Sequence, residues 1–258
     1  MPHILHTPAQ MQDWRRKIAD NSVGFVPTMG ALHPGHESLL RKSGRENDLS
    51  VLSIFINPTQ FGDSKDLRAY PQTWNRDLEV ASRAGVDVVF APTFELMYPD
   101  DYRYKASESD FSKKLCGADR PGHFDGVLTV VLKLLNLVRP DRAYFGEKDF
   151  QQLRLIQEMV GSFFLPTAIV PVPTVREADG LAMSSRNVRL SAADRARAPL
   201  IFKIISRSPS AEQARQELEA QGWEVDYVTD LENRRFVAVH AGGVRLIDNT
   251  TIGEPQLQ

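Results

Sequence analysis

Pro27-Thr28-Met29-Gly30-Ala31-Leu32-His33-Pro34-Gly35-His36 places two imidazoles three positions apart, just after a Gly break. The apolar run Val23-Gly24-Phe25-Val26 precedes it and reads as a short buried strand; Glu37-Ser38-Leu39-Leu40-Arg41-Lys42 follows and reads as the first turns of a helix. A strand that breaks at Pro and Gly and restarts as a helix leaves free backbone N–H groups at the helix start, and these attract phosphate. His33 and His36 could meet one phosphate. The same residues also allow a loop residue with a helix cap, or a metal site completed by His123 and Asp125.

Other chemistry-bearing residues fall after later apolar runs. Asn57 and Gln60 follow the run from Leu49 to Ile56, and they could hold a polar substrate or cap the turn at Pro58. Gly146-Glu147-Lys148-Asp149 follows Arg142-Ala143-Tyr144-Phe145, with Gln151 and Gln152 behind it. A lysine directly after a strand, at a helix start, is placed to meet an anion. Arg120-Pro121-Gly122-His123-Phe124 carries cationic groups in a Gly/Pro turn. Gly180-Leu181-Ala182-Met183-Ser184-Ser185-Arg186-Asn187 sets two hydroxyls and a guanidinium in a Gly-flanked loop, a suitable phosphate clamp. No Gly-x-Ser-x-Gly surrounds these serines, which disfavours a serine nucleophile.

These groups need a scaffold that brings strand ends together. Strands are expected over 23–26, 49–56, 86–91, 142–145 and 167–172, and helices over 7–20, 34–46, 73–84, 127–137 and 150–163. Thr7 is the expected N-cap of the first helix, with Pro8 at its first position. The alternation is the βαβ rhythm of an α/β protein: a Rossmann-like, doubly wound parallel sheet whose ligands lie at the carboxyl ends of the strands. The polar stretch 99–110 reads as an excursion at the sheet edge, and 117–126 as a loop. Beyond about residue 175 the pattern changes to helices, one N-capped by Ser191 with Asp194 at its third position, and a short sheet of 225–228, 235–239 and 244–247. Gly242-Gly243 is the expected hairpin turn there. The expected division is a Rossmann-like domain over residues 1–174, with ligand sites at its strand ends, and a smaller α+β C-terminal domain, 175–258.

Composition narrows the class. The 258 residues are 42% hydrophobic and 25% charged, as in ordinary globular proteins, with a net charge of −2. No basic block supports a nucleic-acid partner. A single cysteine, Cys116, allows no intrachain disulfide and fits a reducing cytoplasm. No stretch approaches a membrane span, and no signal peptide is expected at Met1-Pro2-His3-Ile4.

The His-x-Gly-His loop together with the Ser-Ser-Arg loop resembles the nucleotidyltransferase superfamily. The longer strings are narrower. Pro27 to His33, Ser53 to Phe61, Arg120 to Phe124, Phe145 to Gln152 and Asp179 to Asn187 together resemble the pantoate–β-alanine ligase (pantothenate synthetase) family. That resemblance implies activation of pantoate by ATP to a pantoyl adenylate with release of pyrophosphate, then attack by β-alanine with release of AMP. Both nucleophiles belong to substrates, so the protein need only hold anions together and stabilise charge on the phosphates. It further implies that His33, His36, Lys148, Ser184, Ser185 and Arg186 surround the triphosphate, with Mg2+ bridging phosphates. Met29, Gly30, Gly146, Glu147, Asp149, Val175 and Met183 would complete the ATP site. Gln60 and Gln152 would hold pantoate, and Met29, Val127 and Val130 would pack its methyl groups; Asn57 and Arg120 would support. A homodimer, a cytoplasmic location and a closing C-terminal lid are implied likewise. The short link between the helices ending near Ser206 and starting near Ser210 departs from the family pattern.

Rival classes remain distinguishable. A nucleotidyltransferase that keeps the nucleotide on its product would not release AMP with pantothenate. A class I aminoacyl-tRNA synthetase would need a basic tRNA-binding appendix. A non-catalytic nucleotide-binding module would have no turnover to lose on mutation of His36 or Lys148.

Overall fold

The computed structural model describes residues 1–62 and 64–253, so residues 254–258 of the expected second domain lie outside the described residues. The chain forms two compact units. One comprises Met1–Glu147 and Gln151–Pro173, the other Lys148–Phe150 and the chain from Thr174 onward.

The first unit is a six-stranded parallel sheet with helices. In chain order it contains β1 (His3–Leu5), α1 (Pro8–Lys17), β2 (Val23–Thr28), α2 (Pro34–Glu46), β3 (Leu49–Ile54), α3 (Ser64–Arg68), α4 (Trp74–Arg83), β4 (Val88–Phe90) and α5 (Phe94–Met97). Then come α6 (Cys116–Asp119), α7 (His123–Val138), β5 (Arg142–Gly146), α8 (Phe150–Ser162) and β6 (Ala168–Val172). Strand order is β1-β4-β3-β2-β5-β6, and every pairing is parallel. β2 lies in the middle with β3 on one side and β5 on the other. The chain builds outward from β2 through β3 and β4, then returns to β5, so β2 and β5 form a topological switch point.

Local chemistry explains the elements that matter. Thr7 caps α1 through a capping box with Gln10, and Pro8 opens the helix. β2 and β3 each bury four consecutive residues, as central parallel strands covered on both faces should. Val26, Leu39, Leu40, Leu52, Val89 and Tyr144 pack into one core cluster, which fixes α2 against the sheet.

Several expectations are corrected. β1 adds a strand to those expected, since its three residues are too few to display a period. α7 starts at His123 rather than Val127, so His123 to Gly126 are helical and not loop. Its N-cap is Gly122 at φ 79° with no capping side chain, so no Ser, Thr or Asp announces the start. The stretch after α5 is fastened to α7: Ala106 N donates to Thr129 Oγ1 at 3.0 Å, and Lys133 Nζ to Asp100 Oδ1 at 3.4 Å.

The second unit contains α9 (Ala192–Arg197), α10 (Leu200–Arg207) and α11 (Ala211–Ala220), then the antiparallel sheet β7 (Glu224–Leu231), β8 (Arg234–Ala241) and β9 (Val244–Thr251). Ser191 caps α9 by accepting from Asp194 N at 3.1 Å. Gly242 and Gly243, at φ 55° and 78°, make the β8–β9 turn, as a tight two-residue hairpin requires. Ile201, Ile204, Ile205, Leu218, Val237 and Val239 join helices and sheet in one core.

Candidate active site

The loop after β2 is held from two sides. Thr28 Oγ1 donates to Ser53 O at 2.7 Å and accepts from Gly30 N at 3.1 Å, which ties the loop to β3. Gly30 and Ala31 both take positive φ, 80° and 52°. The buried carboxylate of Asp77 on α4 accepts from Ala31 N at 3.0 Å and Leu32 N at 2.8 Å, and Thr73 Oγ1 also donates to it at 3.0 Å.

His33 is the N-cap of α2, and Pro34 its first residue. His33 Nδ1 accepts from Gly35 N at 3.2 Å, and His36 Nδ1 accepts from His33 N at 3.4 Å. With both Nδ1 atoms accepting, each neutral ring carries its proton on Nε2. The rings lie 4.0 Å apart, centroid to centroid. Two imidazole N–H donors thus sit at a helix N-terminus, where the helix dipole already favours negative charge.

The turn after β3, the neighbouring strand, is a short 3₁₀ element over Pro58–Gln60. Asn57 is 1% exposed and its amide is spent internally. Its Nδ2 donates to Gln60 Oε1 at 3.0 Å and Gly126 O at 3.2 Å, and its Oδ1 accepts from Thr59 Oγ1 at 3.0 Å and Tyr98 Oη at 2.9 Å. Burial pushes the Tyr98 phenol up to about 12, which keeps it a donor. Gln60 O accepts from Arg120 Nη2 at 3.2 Å and His123 Nδ1 at 2.8 Å, and Arg120 Nη1 lies 3.2 Å from His123 Nε2. Since Arg120 has no acceptor, His123 accepts at Nε2 and donates from Nδ1. Asn57, Arg120 and His123 therefore set Gln60. Val127 and Val130 are buried on the same helix, α7. A cleft of about 180 Å³ opens beside the turn, lined by Thr59, Phe61, Tyr102, Lys105, His123 and Asp125 among others.

At the end of β5, Gly146 leads into a 3₁₀ turn over Glu147–Asp149, from which α8 continues. The two adjacent glutamines divide their labour. Gln151 is buried, accepting from Cys116 N at 3.1 Å and donating to Phe111 O at 2.9 Å and Lys114 O at 2.7 Å, so it braces the fold. Gln152 is only half-buried.

Residues 148–150 pack with the second unit. Asn249 Nδ2 donates to Lys148 O at 2.9 Å, and Lys148 Nζ is 3.6 Å from Asp149 Oδ1. The preceding residue of β9, Asp248, accepts the Arg176 guanidinium on both oxygens, at 2.7 and 3.0 Å. Arg176 also stacks 3.3 Å from the Phe202 ring centroid and bonds Gly180 O at 3.1 Å. Bridge pairing of Arg176 with Ala182 closes a small hairpin whose exit strand runs into Met183, Ser184, Ser185 and Arg186. Val175, at its entry, accepts from Met183 N at 3.0 Å. Arg195 binds Asp179 at 2.6 Å and Glu177 at 2.5 Å, which holds the Asp179 carboxyl below the usual carboxylate range. β9 thus anchors both cation-bearing segments of the unit through consecutive residues.

The structure brings Met29, Gly30, His33, His36, Asn57, Gln60, Gly146 and Glu147 to the carboxyl ends of three adjacent strands, β3, β2 and β5. Lys148, Asp149, Val175, Met183, Ser184, Ser185 and Arg186 belong to the other unit. Sequence reasoning missed Asp77 and Asn249, which bond backbone groups of the two loops, and Tyr98 and Asp248, which bond the Asn57 and Arg176 side chains; none of the four lies in a motif. Among the described residues, no group of three or more His, Cys, Asp or Glu side chains is placed to hold a metal ion.

The pantoate-β-alanine ligase family model matches residues 3–251. A pantothenate synthetase of Bdellovibrio bacteriovorus is 62% identical over 98% of this chain and 100% of its own length. One from Coxiella burnetii is 48% identical over 96% of each chain. A crystal structure of pantoate-β-alanine ligase from Francisella tularensis, complexed with β-γ ATP and β-alanine, has 40% identity and a TM-score of 0.93, covering 97% of this chain and 98% of that one. Pantothenate synthetase from Thermus thermophilus superposes with a TM-score of 0.90 at 39% identity over 96% of this chain and 99% of that one.

Proposed function

Because the chain belongs to the pantoate–β-alanine ligase family, we propose that its reaction is the ATP-dependent joining of pantoate to β-alanine through pantoyl adenylate. A pantoate carboxylate oxygen attacks the α-phosphorus of ATP, forming the acyl phosphate bond and expelling pyrophosphate. The β-alanine amine then attacks the acyl carbon, forms the amide, loses a proton and expels AMP.

The observation that carries this reading is the pair of imidazoles on the N-terminus of α2, one strand away from the Gln60 turn. His33 and His36 donate Nε2–H to phosphate oxygens and so stabilise charge that grows as pyrophosphate leaves. Lys148, Ser184, Ser185 and Arg186 add cationic and hydroxyl donors to the phosphates. Gly30 and Gly146 give the nucleotide close backbone approach, with Met29, Glu147, Asp149, Val175 and Met183 completing its site. Gln60 and Gln152 hold pantoate by its oxygens, and Val127 and Val130 back its methyl groups. Asn57 and Arg120 serve by fixing Gln60. Bound with the ATP, Mg2+ would supply charge neutralisation at the phosphates. The first unit would carry the nucleotide and pantoate subsites, and by family analogy the chain from Thr174 onward would serve as a lid that protects the water-sensitive adenylate. By family analogy the enzyme is a cytoplasmic homodimer; sedimentation equilibrium at twice the mass of one chain supports the dimer, and a monomer mass excludes it.

The test is product analysis with pantoate, β-alanine and ATP–Mg2+. Equal amounts of AMP, pyrophosphate and pantothenate are expected. Formation of ADP and phosphate, or retention of the nucleotide on the product, would overturn the reading.

A further inference from the structure

We infer that Asp77 is a positioning residue for adenylate formation: it locks the Gly30–Leu32 backbone in the one conformation that presents His33 and His36. This rests on the ligase reading above.

Asp77 is 1% exposed. Among the described residues no Lys or Arg pairs with it; its partners are Ala31 N, Leu32 N and Thr73 Oγ1. Burying a carboxylate is costly unless several donors converge on it, and here three do. Two of the three are consecutive amides of the loop, reached from a helix more than forty residues later in the chain. Ala31 sits at φ 52°, where a Cβ is strained by about 1–2 kcal/mol. Charge-assisted bonds to its own N–H and the next one offset that strain. The carboxylate also fills the space above Gly30: a Cβ there would lie 2.9 Å from Asp77 Oδ2 and 3.1 Å from Ile54 Cγ2, at φ 80°. The loop is therefore clamped between β3, through Thr28, and α4, through Asp77. His33 follows Leu32 directly and caps α2, so a shift of this backbone moves both imidazoles together.

An amide cannot replace the carboxylate. The site needs an acceptor at both oxygens, and Asn would set its NH2 group against at least one loop N–H. The experiment is pantoate-dependent exchange of labelled pyrophosphate into ATP with the full-length Asp77→Asn and Thr73→Val enzymes. For Asp77→Asn, kcat is expected to fall by about tenfold or more, as for a misplaced site, and the ATP KM to rise by about fivefold or more, while the pantoate KM stays within about twofold. Thr73→Val, which removes one donor without touching the loop, is expected to raise the ATP KM by about twofold in the same direction. Loss of folded enzyme lowers kcat and leaves both KM values alone, so a fall in kcat with unchanged ATP KM would overturn the assignment. So would wild-type kinetics in Asp77→Asn. Should Asp77→Asn fail to fold, an unchanged ATP KM in Thr73→Val overturns it. Absence of exchange in the wild-type enzyme would instead remove the adenylation reading itself.

Discussion

Gly126 on α7 touches the Gln60 peptide so closely that a side chain has no room. A Cβ on Gly126 would fall 2.5 Å from Thr59 O and 2.7 Å from Gln60 N. Since the obstacle is backbone, it cannot rotate away, and the turn bearing Gln60 must move. Gly126→Ala is expected to destabilise the protein by about 1–3 kcal/mol, as overpacking does, and to weaken pantoate binding while the ATP KM holds. Urea unfolding and the two KM values check this; an unchanged pantoate KM with wild-type stability contradicts it.

For the proposed phosphate donors, His36→Ala and Lys148→Ala are each expected to slow pantoate-dependent pyrophosphate–ATP exchange by about 10²-fold, the usual cost of one charge-stabilising donor. Near-normal exchange in either variant removes that residue from its role.

For the acid substrate, Gln60→Ala and Gln152→Ala are expected to raise the pantoate KM by roughly tenfold, equivalent to ~1.4 kcal/mol, with little change in ATP affinity. Gln151→Ala should behave differently. It leaves Cys116 N without its acceptor and two carbonyls without a donor, so the loss appears in thermal stability. A pantoate KM that responds to Gln151 and not to Gln152 reverses the assignment.

Asp248→Ala strips Arg176 of a bidentate partner. A loss of about 1.5–3 kcal/mol is expected, with faster proteolytic cleavage near Gly180–Arg186. Unaltered cleavage would mean the hairpin is held without this pair.

Burial, more than any other factor, pushes both Tyr98 and Tyr144 up to about 12, against 10 ordinarily. The folded chain therefore holds these protons more tightly than the unfolded one. Their stabilising contribution is complete below about pH 10 and is lost as pH rises through about 12. Ultraviolet absorbance titration alongside circular dichroism is expected to show these phenols ionising late, with unfolding; all six tyrosines ionising together near their ordinary value would contradict it.

Much of this was legible in the sequence because the signals are local. Thr7-Pro8, Ser191 with Asp194, and Gly242-Gly243 announce caps and a turn through their own chemistry. The residues at the ends of β2, β3 and β5 are legible because apolar runs stop abruptly there. Asp77 is not, since an Asp in the first turn of a helix is commonplace and its partners lie at Ala31 and Leu32. Asn249 is equally silent, because its link to Lys148 O spans 101 positions. The start of α7 was misplaced because a glycine cap gives no side-chain signal.

The two Nδ1 acceptors at the head of α2 tie the seat of each ring to its protonation state. Protonating either ring at Nδ1 removes the acceptor for Gly35 N or His33 N, so the same proton that adds charge to the imidazole also undoes its seat. With these two bonds intact each ring is neutral and presents an Nε2–H at the start of the helix.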